Sequence, residues 1–515
     1  MLLFARLAPL LFAGPLLAQV PLVSLSGDPG VFGAAVALDG GVAAVGDPLA
    51  DSVAVDGGVV RLIDAESGHT LHTLVPSDGY AGQRFGFRVA LEEGLVLVGA
   101  PFDDTLGLDS GAAYVFDAAS GAQLAKLLSP VGGPGEEFGQ GLALSAGRAI
   151  VGALAADGMT SNAGAVHVFD AASGAFEGTL LAPDGQPQDR FGNAIAADGN
   201  LVVVGARRHA QGGPESGTVY FFDLSTGAFL AELSPLDSSA GQHFGAAIAI
   251  DSEYIVVGAI EDLAPTGSEG AVYVFDRGGM ELHKLVPDAP APQSLFGQGL
   301  DLSSGRALIG ASHESGNDGA VYLFDLAAGI QLYTYRSAPS SPGSLYGVSL
   351  GFDADRAVVG APGDGGTGAV YVFLPEAPLG TQECAGVLNS RGLAGELGVA
   401  GSADSQANEV WLVASGLPFG QFGFFITGQL PGFVMGPGGS QGNLCIRGPL
   451  ARFNAMIPNS GIGGFFEQRI DTSQIPTQPA TAIQSGETWH YQAWYRDQNP
   501  QPTSNFTSAT SVLYR

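Results

Sequence analysis

The residues of this chain best suited to chemistry are carboxylates. Fifty Asp and Glu stand against twenty Lys and Arg, a net charge of −30. The densest run is Asp103-Asp104-Thr105-Leu106-Gly107-Leu108-Asp109. Asp103, Asp104 and Asp109 are the candidate ligands for weak binding of a divalent cation such as Ca2+, or for a cationic partner. The plainer reading is that they are solvated loop carboxylates keeping an otherwise apolar protein soluble. A second run has the opposite charge: Arg207-Arg208-His209. Arginine offers bidentate geometry to a carboxylate or sulfate, so this triplet is a candidate ligand-facing site; Asp157 and Glu261 are the competing internal partners. Paired acids such as Asp103 and Asp104 are also the residue type of glycosidic acid–base work. No HExxH, nucleophile elbow or phosphate loop stands out, and the eight histidines are scattered. The sequence thus assigns no catalytic residue and no firm cofactor, and the chain is expected not to be an enzyme. Its acidity excludes nucleic acid as a partner, which needs clustered positive charge; the only lysines are Lys126 and Lys284.

The elements that must carry these residues are set by a repeat. An aromatic–glycine pair recurs at Phe32-Gly33, Phe85-Gly86, Phe138-Gly139, Phe191-Gly192, Phe244-Gly245, Phe296-Gly297 and Tyr346-Gly347. Each pair leads into an alternating run, a short turn and a continuous apolar run ending in Gly-Ala or Gly-Asp, as in Val98-Gly99-Ala100-Pro101. A polar loop follows, then a segment such as Gly270-Ala271-Val272-Tyr273-Val274-Phe275-Asp276, then a fourth run such as Gln123 to Leu128. Four short strands per unit is the makeup of one propeller blade. The second strand is apolar on both sides and is expected between blades. The seventh unit lacks its fourth strand, and residues 20–26 have the pattern that stands before every other aromatic–glycine pair. They are expected to pair with Val370 to Phe373 as the outer strand of the last blade.

This constellation resembles the FG-GAP repeat, known from the seven-bladed propeller of integrin α subunits and from secreted bacterial proteins. The resemblance covers residues 20–376 and implies the fold far more strongly than an activity. Integrin propellers carry Asp-x-Asp-x-Asp-Gly calcium loops between the first two strands of some blades. The corresponding turns here, such as Glu92-Glu93-Gly94 and Asp198-Gly199-Asn200, are too short to wrap calcium, so those sites are not carried over.

The expected organisation is a signal peptide over residues 1–18, a seven-bladed propeller over 19–376, a linker over 377–383 and a β-sandwich-like domain over 384–515, all-β throughout. The leader has Arg6 before the apolar run Leu7 to Ala18; no later window is apolar enough to span a membrane. Cys384 and Cys445 are expected to form one disulfide in an exported protein. Residues 380–515 hold eight acids and six bases, so the acidity belongs to the propeller. Trp489, Tyr491 and Trp494 fit either a packed core strand or a sugar-stacking surface. The functional expectation is a monomeric, secreted or envelope-associated binding or adhesion protein presenting propeller loops to a protein or glycan. An extracellular hydrolase of polysaccharide or lipid, and a structural envelope component, are the alternatives.

Overall fold

The computed structural model describes all residues except 1–15, 18–22, 27–29, 52, 263–268, 337–341, 354–355, 374–380, 392–393, 402–409, 416, 419, 454–457, 461–465, 478, 499–501 and 515. Most of the expected leader, residues 20–22 of the expected closing strand and residues 377–380 of the linker lie outside the described residues. The chain divides into two compact units, residues 1–373 and 374–515.

Unit one contains seven sheets, each with four antiparallel strands paired in succession; in the sixth, Leu16–Leu17 of the expected leader adds a fifth strand parallel to Ile330–Tyr335. The second sheet is typical: Arg88–Glu92, Leu95–Ala100, Ala112–Asp117 and Gln123–Leu127. Its second strand is buried along Val96–Ala100, as a strand between two sheets must be. The seventh sheet consists of Leu350–Asp353, Arg356–Ala361 and Ala369–Phe373, and Val23–Ser26 completes it. The register is Val23 opposite Val372, Ser24 opposite Tyr371, Leu25 opposite Val370 and Ser26 opposite Ala369. The outer strand of the last blade is therefore supplied by the N-terminal part of the array, as the sequence pattern requires.

The aromatic of each aromatic–glycine pair fills the space between sheets. Phe85 is fully buried and meets Tyr114 and Phe116 edge-on, with ring centroids 5.4 and 5.7 Å away. Phe191 repeats this against Tyr220 and Phe222, and Phe244 against Tyr273 and Phe275. Its glycine works at the backbone. A Cβ on Gly46 would sit 2.1 Å from the carbonyl oxygen of Gly86 in the next blade. The same crossing joins Gly99 to Gly139, Gly152 to Gly192, Gly205 to Gly245, Gly258 to Gly297 and Gly310 to Gly347, and a Cβ on Gly360 would lie 2.0 Å from Gly33 O. That last crossing joins the seventh sheet to the first.

Unit two pairs a five-stranded sheet (Thr381–Cys384, Pro502–Leu513, Thr488–Gln498, Gly423–Gly428, Ala451–Phe453) with a three-stranded one (Glu396–Gly401, Val410–Ser415, Phe466–Ile470). Both send side chains into one core, including Leu397, Leu412, Phe425, Phe466, Trp489 and Tyr491, so the arrangement is a sandwich. Trp489 and Tyr491 are core residues. Trp494 lies on the opposite face of its strand, stacked on Phe424 at 5.0 Å. Cys384 and Cys445 form a disulfide.

Because backbone stands where a Cβ would go, Gly205→Ala is expected to destabilise the propeller by about 3 kcal/mol. Gly178→Ala, on the outer strand Phe176–Leu180 with nothing within 4 Å of its added Cβ, is expected to be near neutral. Urea denaturation of the two variants checks this.

Candidate functional site

In an up-and-down blade the loops from strand two to three and from strand four to the next blade emerge at the same end. The candidate residues of the sequence lie there, and the structure gives most of them an internal task. Asp103 is fully buried. It accepts hydrogen bonds from the Tyr114 hydroxyl at 3.0 Å, from Lys126 Nζ at 3.1 Å and from the backbone N–H of Thr105 at 2.9 Å. Lys126 also pairs with Asp78 at 2.6 Å, and Tyr114 donates to Asp78 at 3.1 Å. Burial works to raise the Asp78 carboxyl, but the bonds from Lys126 and Tyr114 outweigh it and hold the group below its usual range. Asp104 accepts the N–H of Asp109 at 2.8 Å, which fixes the loop turn; Asp51 does the same for Asp56 and Asp157 for Asn162. Asp103, Asp104 and Asp109 are thus a latch and a turn, and among the described residues no group of three His, Cys, Asp or Glu is arranged to hold a metal ion.

The latch recurs three blades on. Lys284 pairs with Asp237 at 2.6 Å and Asp262 at 3.1 Å, while Tyr273 donates to both at 2.6 and 2.7 Å. The chain's two lysines occupy equivalent positions: Lys126 lies opposite Tyr114, and Lys284 opposite Tyr273. In the fourth blade the charges are exchanged. Glu232 takes the lysine position opposite Tyr220, and His209 takes the place of Asp103. His209 is buried, with Nδ1 2.8 Å from Asp189 and Nε2 3.4 Å from Asp184. The bond to Asp189 raises its pKa, opposed by burial. Sequence reasoning did not see this latch, although two lone lysines at equivalent repeat positions carry its signal.

The Arg207-Arg208-His209 triplet therefore splits. His209 is a latch residue, and Arg208 lies 3.5 Å from Glu215. Arg207 stands where Pro101 ends the Gly-Ala-Pro of the second blade, and it lines a cavity of about 400 Å³ to which the inner strands of all seven blades contribute. Burial is the main cause that lowers its pKa, with Arg190 and Arg208 adding to it; Glu261 and Glu215 act weakly the other way. Arg88, Gln140, Asn193, Gln298 and Ser349 share that cavity. Sequence reasoning missed Arg88. The equivalent positions are Ala35, Gly141, Ala194, Ala247, Gly299 and Ser349, so comparing the repeats position by position would have found it.

The opposite ends of the inner strands are acidic. Asp39 accepts the N–H of Glu93 at 2.8 Å and Asp353 that of Gly40 at 2.9 Å, each bond joining neighbouring blades. Burial, with Glu93, Asp39 and Asp198 adding to it, pushes the Glu92 carboxyl up to about 7.

Fold and loops together define a propeller whose loop carboxylates serve the frame. The family model for the FG-GAP repeat matches residues 71–116, 122–169, 175–222 and 228–275. These four segments are FG-GAP repeats, and the all-β fold continues their pattern through seven sheets. The first match runs from the outer strand Thr70–Leu74 to the third strand Ala112–Asp117, so a repeat spans two blades and sits one strand out of phase with the sheets. No curated protein matches the chain.

Two predictions arise here. Lys126→Met leaves Asp103 buried and without its cation, so the urea midpoint of the propeller should fall by an amount equivalent to about 3 kcal/mol, and adding Asp103→Asn should restore part of it. The Glu92 carboxyl, raised from 4.5 to about 7, binds more protons folded than unfolded between those values. Its contribution to stability is therefore lost as pH rises through about 7. Glu92→Gln should raise the melting temperature at pH 8, with the gain shrinking as pH falls below about 7 and vanishing below 4.5.

Proposed function

We propose that this protein is a non-catalytic binding protein of the cell envelope or exterior, whose propeller presents its loop face to a protein partner. The observation that carries the reading is a set of exposed aliphatic loop tips at that end: Val53, Val55, Leu106, Leu108, Val131 and Leu236, the last 90% exposed. Aliphatic tips set among the acidic loops of a strongly acidic molecule are the kind of surface that binds protein, although outer strands also expose apolar residues such as Phe176 and Leu230. Glycan recognition generally relies on exposed aromatic rings, whereas these tips are aliphatic. The loops beneath are stiff. Leu106 and Leu108 lie inside the Asp104–Asp109 turn, directly after the Asp103 latch, so little entropy is lost on docking. The carboxylates that hydrolysis would use are held by lysine, tyrosine and backbone donors, which supports binding over catalysis. The apolar leader of the sequence, the Cys384–Cys445 disulfide and, among the described residues, no helix long and apolar enough to cross a membrane fit an exported protein.

The test is an array of surface proteins and glycans probed with the full chain and with a Leu108→Glu, Leu236→Glu variant. Both positions are exposed, so the variant should keep the parent melting temperature. The reading expects a protein hit weakened at least about tenfold in the variant. Hits confined to glycans, hits the variant leaves unchanged, or no hit at all would contradict it.

A further inference from the structure

The cavity at the centre of the propeller has a charge pattern that the rest of the molecule does not share. Its polar lining is Arg88, Arg207, Gln140, Asn193, Gln298 and Ser349, and no Asp or Glu lines it among the described residues. Arg207 is close enough to lower the basicity of Arg88, second only to enclosure by the blades. Neither guanidinium has a carboxylate partner among the described residues. Arg88 Nη1 donates to the carbonyl of Phe87 at 3.2 Å and its guanidinium lies over the Phe87 ring. Arg207 Nε is buried with no hydrogen-bond partner. Arg88 is exposed along the channel while Arg207 is half-buried with its Nε shut off from any partner, so the cost of leaving the pair without a contacting carboxylate falls mainly on Arg207, and a bound anion relieves it.

The neighbouring carboxylates are engaged elsewhere. Glu215 lies 3.5 Å from Arg208 and from His243, and Glu261 lies 3.5 Å from His243. Arg190 and Arg208 add positive charge beside Arg207. The amides are held by the frame: Gln140 Nε2 donates to Glu137 at 3.0 Å. Asn193 Oδ1 is taken by the Arg207 N–H at 3.2 Å and its Nδ2 by Gly245 O at 3.0 Å, which fixes the wall beside Arg207. The acidic groups Asp39, Glu92, Asp198 and Asp353 stand at the other ends of the inner strands. The channel is thus polarised along its axis, with its cationic end toward the loop face.

We infer that the central cavity is an oxyanion site, in which Arg88 and Arg207 hold a single carboxylate or sulfate group of a small ligand. The size of the cavity and the net charge of −30 exclude a polyanion, which the surrounding field repels, while one small anion inside the channel meets the two arginines at short range. The site is independent of the partner proposed for the loop tips.

The test uses Arg88→Ala, the residue the fourth blade carries at Ala194, and Arg207→Ala, which keeps the backbone N–H that Asn193 accepts. The full chain is titrated calorimetrically with sodium glucuronate, sodium sulfate and, as the neutral control, glucose, at constant ionic strength. The expected result is binding of at least one of the two anions, none of glucose, and at least about tenfold weaker binding in each variant. Preference between glucuronate and sulfate separates a carboxylate ligand from a sulfate one. Absence of binding by both anions, or binding that both variants leave unchanged, overturns the inference. Failure of the loop-tip partner assay would leave this result untouched.

Discussion

Everything in the propeller depends on a backbone crossing that only glycine permits. At each blade junction the glycine of the Gly-Ala segment meets the carbonyl of the next blade's aromatic–glycine pair, at a distance where any Cβ would collide. The aromatic–glycine residue itself has positive φ, from 86° to 101° across the seven copies, a region that side chains disfavour. Its N–H donates within its own blade, as in Gly33 to Gly46 O and Gly347 to Gly360 O, both at 3.0 Å. One residue therefore ties strand to strand within a blade and blade to blade across the junction. The high glycine content, 79 residues, follows largely from repeating such positions.

The frame that results is stiff enough to use its loops sparingly. Among the described residues, polar loops are held by a turn, such as Asp104 to Asp109, or by a latch linking a tyrosine of the third strand to loop carboxylates, with an outer-strand cation in the second, fifth and sixth blades. The latch tolerates exchange of its parts so long as charge is balanced. Blades two and five use lysine, blade six uses Arg336 with Glu314, and blade four inverts the polarity with His209. A carboxylate fully out of water needs such a partner, and Asp103 finds it in Lys126 and Tyr114.

Much of the fold was legible in the sequence because each blade states it again. The seven aromatic–glycine pairs, the apolar second strand and the displaced outer strand all depend on local pattern, and the pairing of Val23–Ser26 with Ala369–Phe373 follows from counting strands. The second unit was harder. Its longest strand, Pro502–Leu513, is rich in Ser and Thr and lacks a clear apolar alternation, so periodicity passed over it, while Thr488–Gln498 was visible through its aromatics. The site was less legible still. Asp103 reads as a ligand in a linear run, and only the fold brings Lys126 and Tyr114 to it. Arg88 was hidden by the opposite effect: a lone arginine in a strand carries no motif, and its meaning appears when seven inner strands converge on one cavity.

The central claim is that the seven junctions, including the one between the last blade and the first, act as a single frame. Native-state hydrogen exchange of the amides of Gly33, Gly86, Gly192, Gly297 and Gly347 reads it directly, since each donates to the Gly carbonyl of its own blade. The account predicts that all five exchange with protection within about tenfold of one another, through a shared opening. Exchange at Gly33 and Gly347 faster than at the others by about a hundredfold or more would mean that the seam opens on its own, and would contradict it.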